Sequence, residues 1–457
     1  MEAFLAKLTE IVAPIENCGT TVIIFFVFTI IGLIIGSGVV NALRNGLLIA
    51  AGFAGVYMVL NYFLGAVDPV ALALSERFGS HFTYTDIGWP GFSTIAWGSP
   101  MLYPVCGIAI VVNIIMLVLN LTDTLNLDIW DIWHTVITCM VVYAVTENWL
   151  ATGLVAAASY MISLVITDWF ANKGYIRNYF GMDNISYFQG CNVWWTIFAE
   201  GCSKLMDKLN IAGNDDFTPS KVQEKWGIIG EPVVIGGVIG LLMGIAAGLP
   251  WYAVLTFMVD LAACLLILPM MVGIVVQGLI PFSDGAGAFL QKIYKGKRNL
   301  YIGVDVALAC GDETVMAVST IMIPIMLVLF LIVPGSSFIP LADLGSLCYF
   351  ICWFVAANNG DMVRTLITAI LSGIVAVFFG TITAPLCAKA AAFFPTEGYE
   401  GNVTSLFLSY DNDIALFGKL AEGGANLAII GAIVAIVLCV AYRISYLSKK
   451  AKSVEAK

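Results

Sequence analysis

Apolar residues in this chain come in long runs, and the breaks between the runs carry the information. Stretches long enough to cross a bilayer as helices, ~17–25 residues, recur from Thr21 to Val440. They predict an all-α polytopic membrane protein. Two apolar stretches differ from the rest. The segment from Asp86 to Pro100 is interrupted by Gly88, Pro90, Gly91 and Gly98, and the segment from Tyr301 to Thr314 by Gly303, Asp305, Gly311, Asp312 and Glu313. Each is too short and too broken to span, and each runs directly into a long apolar helix pattern. Irregular backbone survives at membrane depth only where protein or a water-filled cavity satisfies its free N–H and C=O groups. A matched pair of such segments is the best sequence pointer to a transporter's substrate site, so two re-entrant hairpins are expected to meet there.

The order of features repeats. Gly88 and Gly303 have the same separation as Asp128 and Asp343 (303 − 88 and 343 − 128 both give 215). Between them come a broken hairpin, a helix with an internal proline (Pro104 or Pro324), a polar corner and another apolar run. Upstream, Pro69 and Pro281 close apolar runs at matching places. The segment Lys292 to Arg298 is strongly basic and its counterpart Ser75 to Thr85 much less so, which predicts copies of opposite orientation. The organisation expected is an amphipathic leader at 1–20, a first membrane repeat at 21–170 and a cytoplasmic or interfacial connector at 171–229. A second membrane repeat follows at 230–385, then an extracellular segment at 386–426 and a last transmembrane helix with a basic tail at 427–457.

Composition supports the membrane reading. The chain has 457 residues, 60% hydrophobic and 11% charged, where a soluble domain carries roughly 25% charged residues. Its net charge of −10 is informative only loop by loop. Basic residues gather in 173–225, in 292–298 and in the tail from Arg443, which the positive-inside rule places in the cytoplasm; a bacterial plasma membrane protein with a cytoplasmic C-terminus is expected. The acidic stretch Pro395 to Glu422 is expected outside. Met1 to Glu16 reads as a helix lying on the membrane or against the bundle, with no cleavable signal peptide. The eleven cysteines are scattered in apolar runs and read as small core residues, with no metal site expected. No nucleotide-binding motif appears, so neither a cofactor nor a nucleic-acid partner is expected. The energy for transport would come from an ion gradient or from another polypeptide.

An intramembrane carboxylate costs roughly 2.5–3.5 kcal/mol even on lenient scales, so each needs a reason. Asp86 opens the first hairpin, and Asp305, Asp312 and Glu313 lie in the second. Such groups would accept hydrogen bonds from a polar solute. Asp128, Asp131, Asp343, Asp361 and Arg364 read instead as loop ends near headgroups. Of the two histidines, His81 falls in a loop. His134 begins an apolar helix, where it either bonds a solute hydroxyl or serves as a satisfied structural residue. Trp89, Trp97, Trp130 and Trp133 flank these groups and would suit the C–H faces of a sugar or polyol, though Trp also populates membrane interfaces by default.

Five ordered motifs carry a resemblance. They are Asp86-Ile-Gly-Trp-Pro-Gly91, Leu127-Asp-Ile-Trp-Asp-Ile-Trp-His134, Gly227-Ile-Ile-Gly-Glu-Pro232, Ile302-Gly-Val-Asp305 and Gly360-Asp-Met-Val-Arg-Thr365. Together they resemble the galactitol-type IIC permeases of the bacterial phosphotransferase system, from about Val22 to Thr383. The resemblance implies uptake of galactitol or a related alditol or sugar, phosphorylated on release by a separate IIB subunit from a phosphocysteine. IIA, HPr and enzyme I would feed that chain. It also implies a homodimer among membrane lipids, with an elevator-like core moving against a scaffold domain. Asp86, Thr94, His134, Asp305 and Glu313 would surround the solute. Two departures stand out: Ser186-Tyr187 where many relatives have Pro-His, and Val306 where proline usually follows the aspartate. The rival expectation is an H+- or Na+-coupled polyol symporter using the same carboxylates.

Overall fold

A backbone in hydrocarbon must satisfy its own hydrogen bonds, and most of this chain does so as helix. The computed structural model describes residues 20–78, 82–126, 128, 131–211, 213, 232–294, 300–340, 342–399 and 401–455. The leader helix, His81, Trp130, the Gly227 to Glu231 part of one motif and the basic run 295–299 lie outside the described residues.

The chain opens with α1 (Thr20–Ile34) and the 40-residue α2 (Val39–Phe78). A two-residue strand, β1 (Thr85–Asp86), leads into the broken segment: α3 (Gly88–Gly98) turns by 94° into α4 (Leu102–Val118). Then come β2 (Thr124–Asn126), α5 (Ile132–Thr146), α6 (Trp149–Asn172), the short α7 (Tyr175–Phe180), β3 (Ile185–Tyr187), a 3-10 turn at Gly190–Val193 and the amphipathic α8 (Trp194–Lys208). The second half has α9 (Pro232–Ala246), the 44-residue α10 (Trp251–Tyr294), β4 (Tyr301–Val304), a 3-10 turn at Val306–Gly311 and α11 (Glu313–Ile332). It continues through α12 (Cys348–Ala357), α13 (Met362–Phe393), β5 (Val403–Thr404), α14 (Leu406–Ser409), α15 (Asn412–Glu422) and α16 (Ala425–Glu455). Among the described residues five helices are long and apolar enough to cross a membrane, or six if the bent pair α3–α4 counts as one span. The protein is a mostly helical, multi-pass membrane protein, and its described residues include five very short strands that the apolar periodicity did not signal.

The same local chemistry ends helices at matching places. After α5, Glu147 adopts a left-handed conformation (φ 48°) and Asn148 caps α6 by accepting from Ala151 N at 2.9 Å. After α12, Asn359 (φ 51°) and Gly360 (φ 81°) turn the chain, and Asp361 caps α13 by accepting from Arg364 N at 2.8 Å. Short polar side chains at an N-cap satisfy the orphan N–H groups of a first helical turn.

Strand pairing ties the halves together reciprocally. β1, ahead of the first broken segment, pairs in parallel with β5, which follows α13 in the second half: Asp86 lies opposite Thr404. β4, ahead of the second broken segment, pairs in parallel with β3 from the first half: Val304 lies opposite Tyr187. β4 also pairs with β2, Gly303 opposite Asn126. Each broken segment is thus anchored by the other half of the chain.

Candidate functional site

Strand β4 ends at Asp305, whose carboxylate accepts from Ala307 N at 2.7 Å and so starts the 3-10 turn. Asp86 ends β1 in the same way, accepting from Gly88 N at 3.0 Å. This is the local turn that Asp forms with the N–H two residues on. Asp86 has a second partner, Ala342 N at 3.0 Å. Gly88 is in the left-handed region (φ 66°), and a Cβ there would come within about 3 Å of Ala342 and Asp343, so only glycine fits this approach.

Asp305 lines a buried cavity with Tyr57, Trp89, Asp131, His134 and Gln189. The space takes about one water molecule. His134 sits in the first turn of α5 with no exposure. Its Nδ1 lies 2.7 Å from Asp411 Oδ2, and its Nε2, 3.9 Å from Asp131 Oδ1, has no hydrogen-bond partner. Trp133 packs against the imidazole, 4.0 Å away between ring centroids with the planes tilted by 30°, and Phe407 lies at 5.5 Å. Gly190 lets the 3-10 turn close on this ring; a Cβ at that position would sit 2.6 Å from His134 Cβ. A carboxylate fixed on one ring nitrogen leaves the other to face whatever enters. The cavity therefore offers acceptor oxygens, an oriented imidazole and the face of Trp89, whose Nε1 donates to Ser346 Oγ at 2.8 Å.

Asp128 and Asp131, at the corner before α5, bring carboxylate oxygens within 4.8 Å of one another and of Asp305. Asp343, at the matching corner of the second half, lies against the first broken segment. It accepts from Trp89 N (2.7 Å), Ser405 Oγ (2.5 Å) and Phe407 N (2.9 Å). Asp131 and Asp343 were expected as loop ends near headgroups; both are buried inside the protein, because each corner packs on the other half's broken segment.

Of the five residues expected around a solute, His134 and Asp305 line the cavity. Asp86 is buried in the turn that opens α3. Thr94 is exposed on α3 and donates back to Pro90 O at 2.8 Å. Glu313 is exposed at the start of α11, beside Asp312, which caps that helix by accepting from Val315 N at 2.9 Å. Tyr187 points away from the cavity, its hydroxyl 3.4 Å from Met182 Sδ; Gln189, two residues on, faces in. Sequence reasoning missed Gln189, Tyr57, Tyr349 and Asp411. The acidic segment carrying Asp411 was expected outside, with no part in the site, yet Asp411 and Asp413 are fully buried. Asp413 accepts from Ser159 Oγ and Trp194 Nε1, at 2.5 and 2.6 Å.

The family model for the sugar-specific permease component of the phosphotransferase system, EIIC-GAT, matches residues 15–401. The chain is 32% identical over 424 residues to a protein of Escherichia coli (strain K12) described as a permease IIC component, covering 92% of this chain and 95% of that one. It is also 32% identical over 386 residues to the galactitol-specific EIIC components of Escherichia coli strains K12 and O157:H7, covering 84% of each chain. With several membrane-spanning helices around a buried polar cavity, and with this similarity along most of its length, the chain belongs to the galactitol-type family of IIC permeases, the membrane subunits of the phosphotransferase system.

Proposed function

We propose that the cavity between His134, Asp131 and Asp305 receives a polyol, galactitol or a related alditol, and carries it inward to a separate IIB subunit. The observation that carries this reading is His134 Nε2, buried, unpartnered and held towards the cavity by Asp411. A hydroxyl donating to Nε2 or to Asp305 would replace water there, while the ring of Trp89 covers a C–H face. On the IIB side a substrate hydroxyl displaces cysteine from phosphorus: the P–S bond breaks as the P–O bond forms. Positioning dominates such transfers, so the permease needs no covalent chemistry of its own.

The space for about one water is far too small for a six-carbon polyol, so loading requires the surrounding elements to part. Asp86, Thr94 and Glu313, off the closed cavity, would join the solute only in that wider state. Two inverted repeats, at 21–170 and 230–385, with an elevator-like core moving against a scaffold, would supply the motion; the reciprocal pairing of β1 with β5 and β4 with β3, where β3 and β5 lie shortly after the first and second repeat, supports them. We place the C-terminus in the cytoplasm from the basic tail and expect a homodimer, with IIA, HPr and enzyme I upstream of IIB.

The test is uptake of labelled galactitol and pentitols into cells with and without the cognate IIB. Phosphorylated product that depends on IIB is expected. Accumulation of unmodified polyol without IIB would overturn the reading in favour of a gradient-driven carrier.

A further inference from the structure

Three acidic side chains meet beside this cavity, and their surroundings differ sharply from those of the matching corner in the other half. Asp343, against the first broken segment, is satisfied by two backbone N–H groups and the hydroxyl of Ser405. Asp128 and Asp131, against the second, stand with Asp305 in a group whose oxygens lie within 4.8 Å of one another. Asp131 is 2% exposed and its Oδ2 has no hydrogen-bond partner. Strand register identifies what has changed. Thr404 lies opposite Asp86, so Ser405 is the next residue along; Val304 lies opposite Tyr187, so Asp305 falls beside Phe188, and Gln189 is the next residue. Where one half has a hydroxyl donor, the other has Gln189, also 2% exposed, whose Oε1 is buried without a partner and lines the cavity with Asp131 and Asp305.

Charge sharpens the contrast. No Lys or Arg lines the cavity among its described residues, and His134, the one group there able to carry positive charge, is already paired with Asp411. Asp131 and Asp305, two buried carboxylates on a cavity wall whose lining supplies neither Lys nor Arg, are costly side by side. The donors that converge are all oxygens, the set preferred by hard cations. A calcium-sized ion holds oxygens at about 2.3–2.6 Å, so its ligands stand up to roughly 5 Å apart across it, and the three carboxylate oxygens here lie within that limit.

We propose that Asp128, Asp131 and Asp305, with Gln189 Oε1 beside them, form a binding site for a hard divalent cation. The ion neutralises the carboxylates at the cavity wall and leaves His134 Nε2 facing the interior. This goes beyond the polyol reading and does not require it, because the ligands are this chain's own oxygens.

Full-length protein in detergent at pH 8 is titrated with CaCl2 or MgCl2, with NaCl matched for ionic strength, and followed by calorimetry and thermal unfolding. The expected result is one saturable divalent site per chain and a rise in Tm of a few degrees at about 100 Kd. Asp128→Asn and Asp131→Asn should each weaken it at least about tenfold, since ligand charge sets affinity; Glu397→Gln, exposed and distant in the chain, should not. Infrared difference spectra of the unsubstituted protein decide the matter even if the variants fail to fold: the protonated-carboxyl band present without the ion should lose intensity on adding Ca2+. No saturable binding, unchanged affinity in both Asn variants, or a carboxyl band of unchanged intensity with Ca2+ would each overturn the site and leave protons as the neutralising charge. Polyol and IIB are absent from these measurements, so failure here leaves the transport reading standing, and failure of polyol uptake leaves the cation site standing.

Discussion

Asp411 Oδ2 lies 2.7 Å from His134 Nδ1, with both side chains wholly removed from solvent. The pair joins the start of α5 to the link between α14 and α15, 277 residues apart in sequence. It fixes which nitrogen faces the cavity. Asp411→Asn keeps the shape but lets the amide present either donor or acceptor, so the ring loses its preferred tautomer. A hydrogen bond to a charged group is worth about 1.5–3 kcal/mol, and IIB-dependent uptake should fall by about 10–100-fold. His134→Gln should fall at least as far. Initial rates of polyol phosphorylation in vesicles check both, with thermal unfolding to show that the variants remain folded.

Asp305→Asn tests the cavity from its other wall. The amide can still accept from Ala307 N and start the 3-10 turn, so folding should survive. A polyol hydroxyl loses a charged acceptor, and uptake should drop to background. Normal uptake by the folded variant would remove Asp305 from the solute's environment. Asp86→Asn is the informative comparison. Asp86 makes the equivalent turn but does not line the closed cavity, so its loss should be the smaller of the two.

How much of this was legible in the chain depends on distance along it. The broken segments, the helix after each, and Asp305 and His134 could be read locally, because Gly, Pro and carboxylates inside apolar runs are costly and visible. The five strands of two to four residues leave no periodic signature at that length. Gln189 and Asp411 were invisible for a different reason. Gln189 follows a strand whose partner is more than a hundred residues away, and Asp411 sits in an acidic stretch that resembles a solvated loop until its partner His134 is known. Asp131 was discounted because a corner between two apolar runs is usually at the headgroups; here the other half of the protein covers it.

The two longest helices touch at their glycines. A Cβ on Gly52 of α2 would fall 2.6 Å from Val275 N of α10, and one on Gly278 of α10 would fall 2.8 Å from Asn45 O. Both obstacles are backbone, so relief requires the helices to separate. Gly52→Ala should destabilise by about 1–3 kcal/mol, despite the better helix propensity of alanine. A lowered midpoint in thermal unfolding of the detergent-solubilised protein checks this.

Outside the spans, Glu200 on α8 is buried, which by itself would raise its carboxyl. Hydrogen bonds from Lys173 (2.7 Å) and Lys204 outweigh that and hold it below the ordinary glutamate range. A lowered folded-state pKa means stability present above the unfolded value, near 4.3, and lost as pH falls through the folded one. Lys173 and Lys204 are 39% and 67% exposed, so solvent and salt screen the pair and its worth should be about 1 kcal/mol or less. Unfolding midpoints between pH 7 and 3 should therefore fall less steeply for Glu200→Gln than for the unsubstituted protein. Added salt should narrow the difference.

Arg443 should be the most sensitive position on α16. It holds Asp123 by two parallel bonds of 2.6 and 2.8 Å, and its Nη1 lies 4.0 Å from Asp168. Asp168 in turn accepts from Asp123 N and Thr124 Oγ1, both at 2.8 Å, at the edge of the β2–β4–β3 sheet. Removing the guanidinium leaves two buried carboxylates without their cation. Breaking a buried pair in this way costs about 3–5 kcal/mol, and Arg443→Met should lower the unfolding midpoint accordingly. Arg443→Met with Asp123→Asn removes one charge of each sign and should recover part of the loss. If the double variant unfolds no later than Arg443→Met alone, the arginine acts through its packing rather than its charge. Recovery would show instead that a buried ion pair at the foot of the strand that leads to Asp305 fastens the last helix to the rest of the protein.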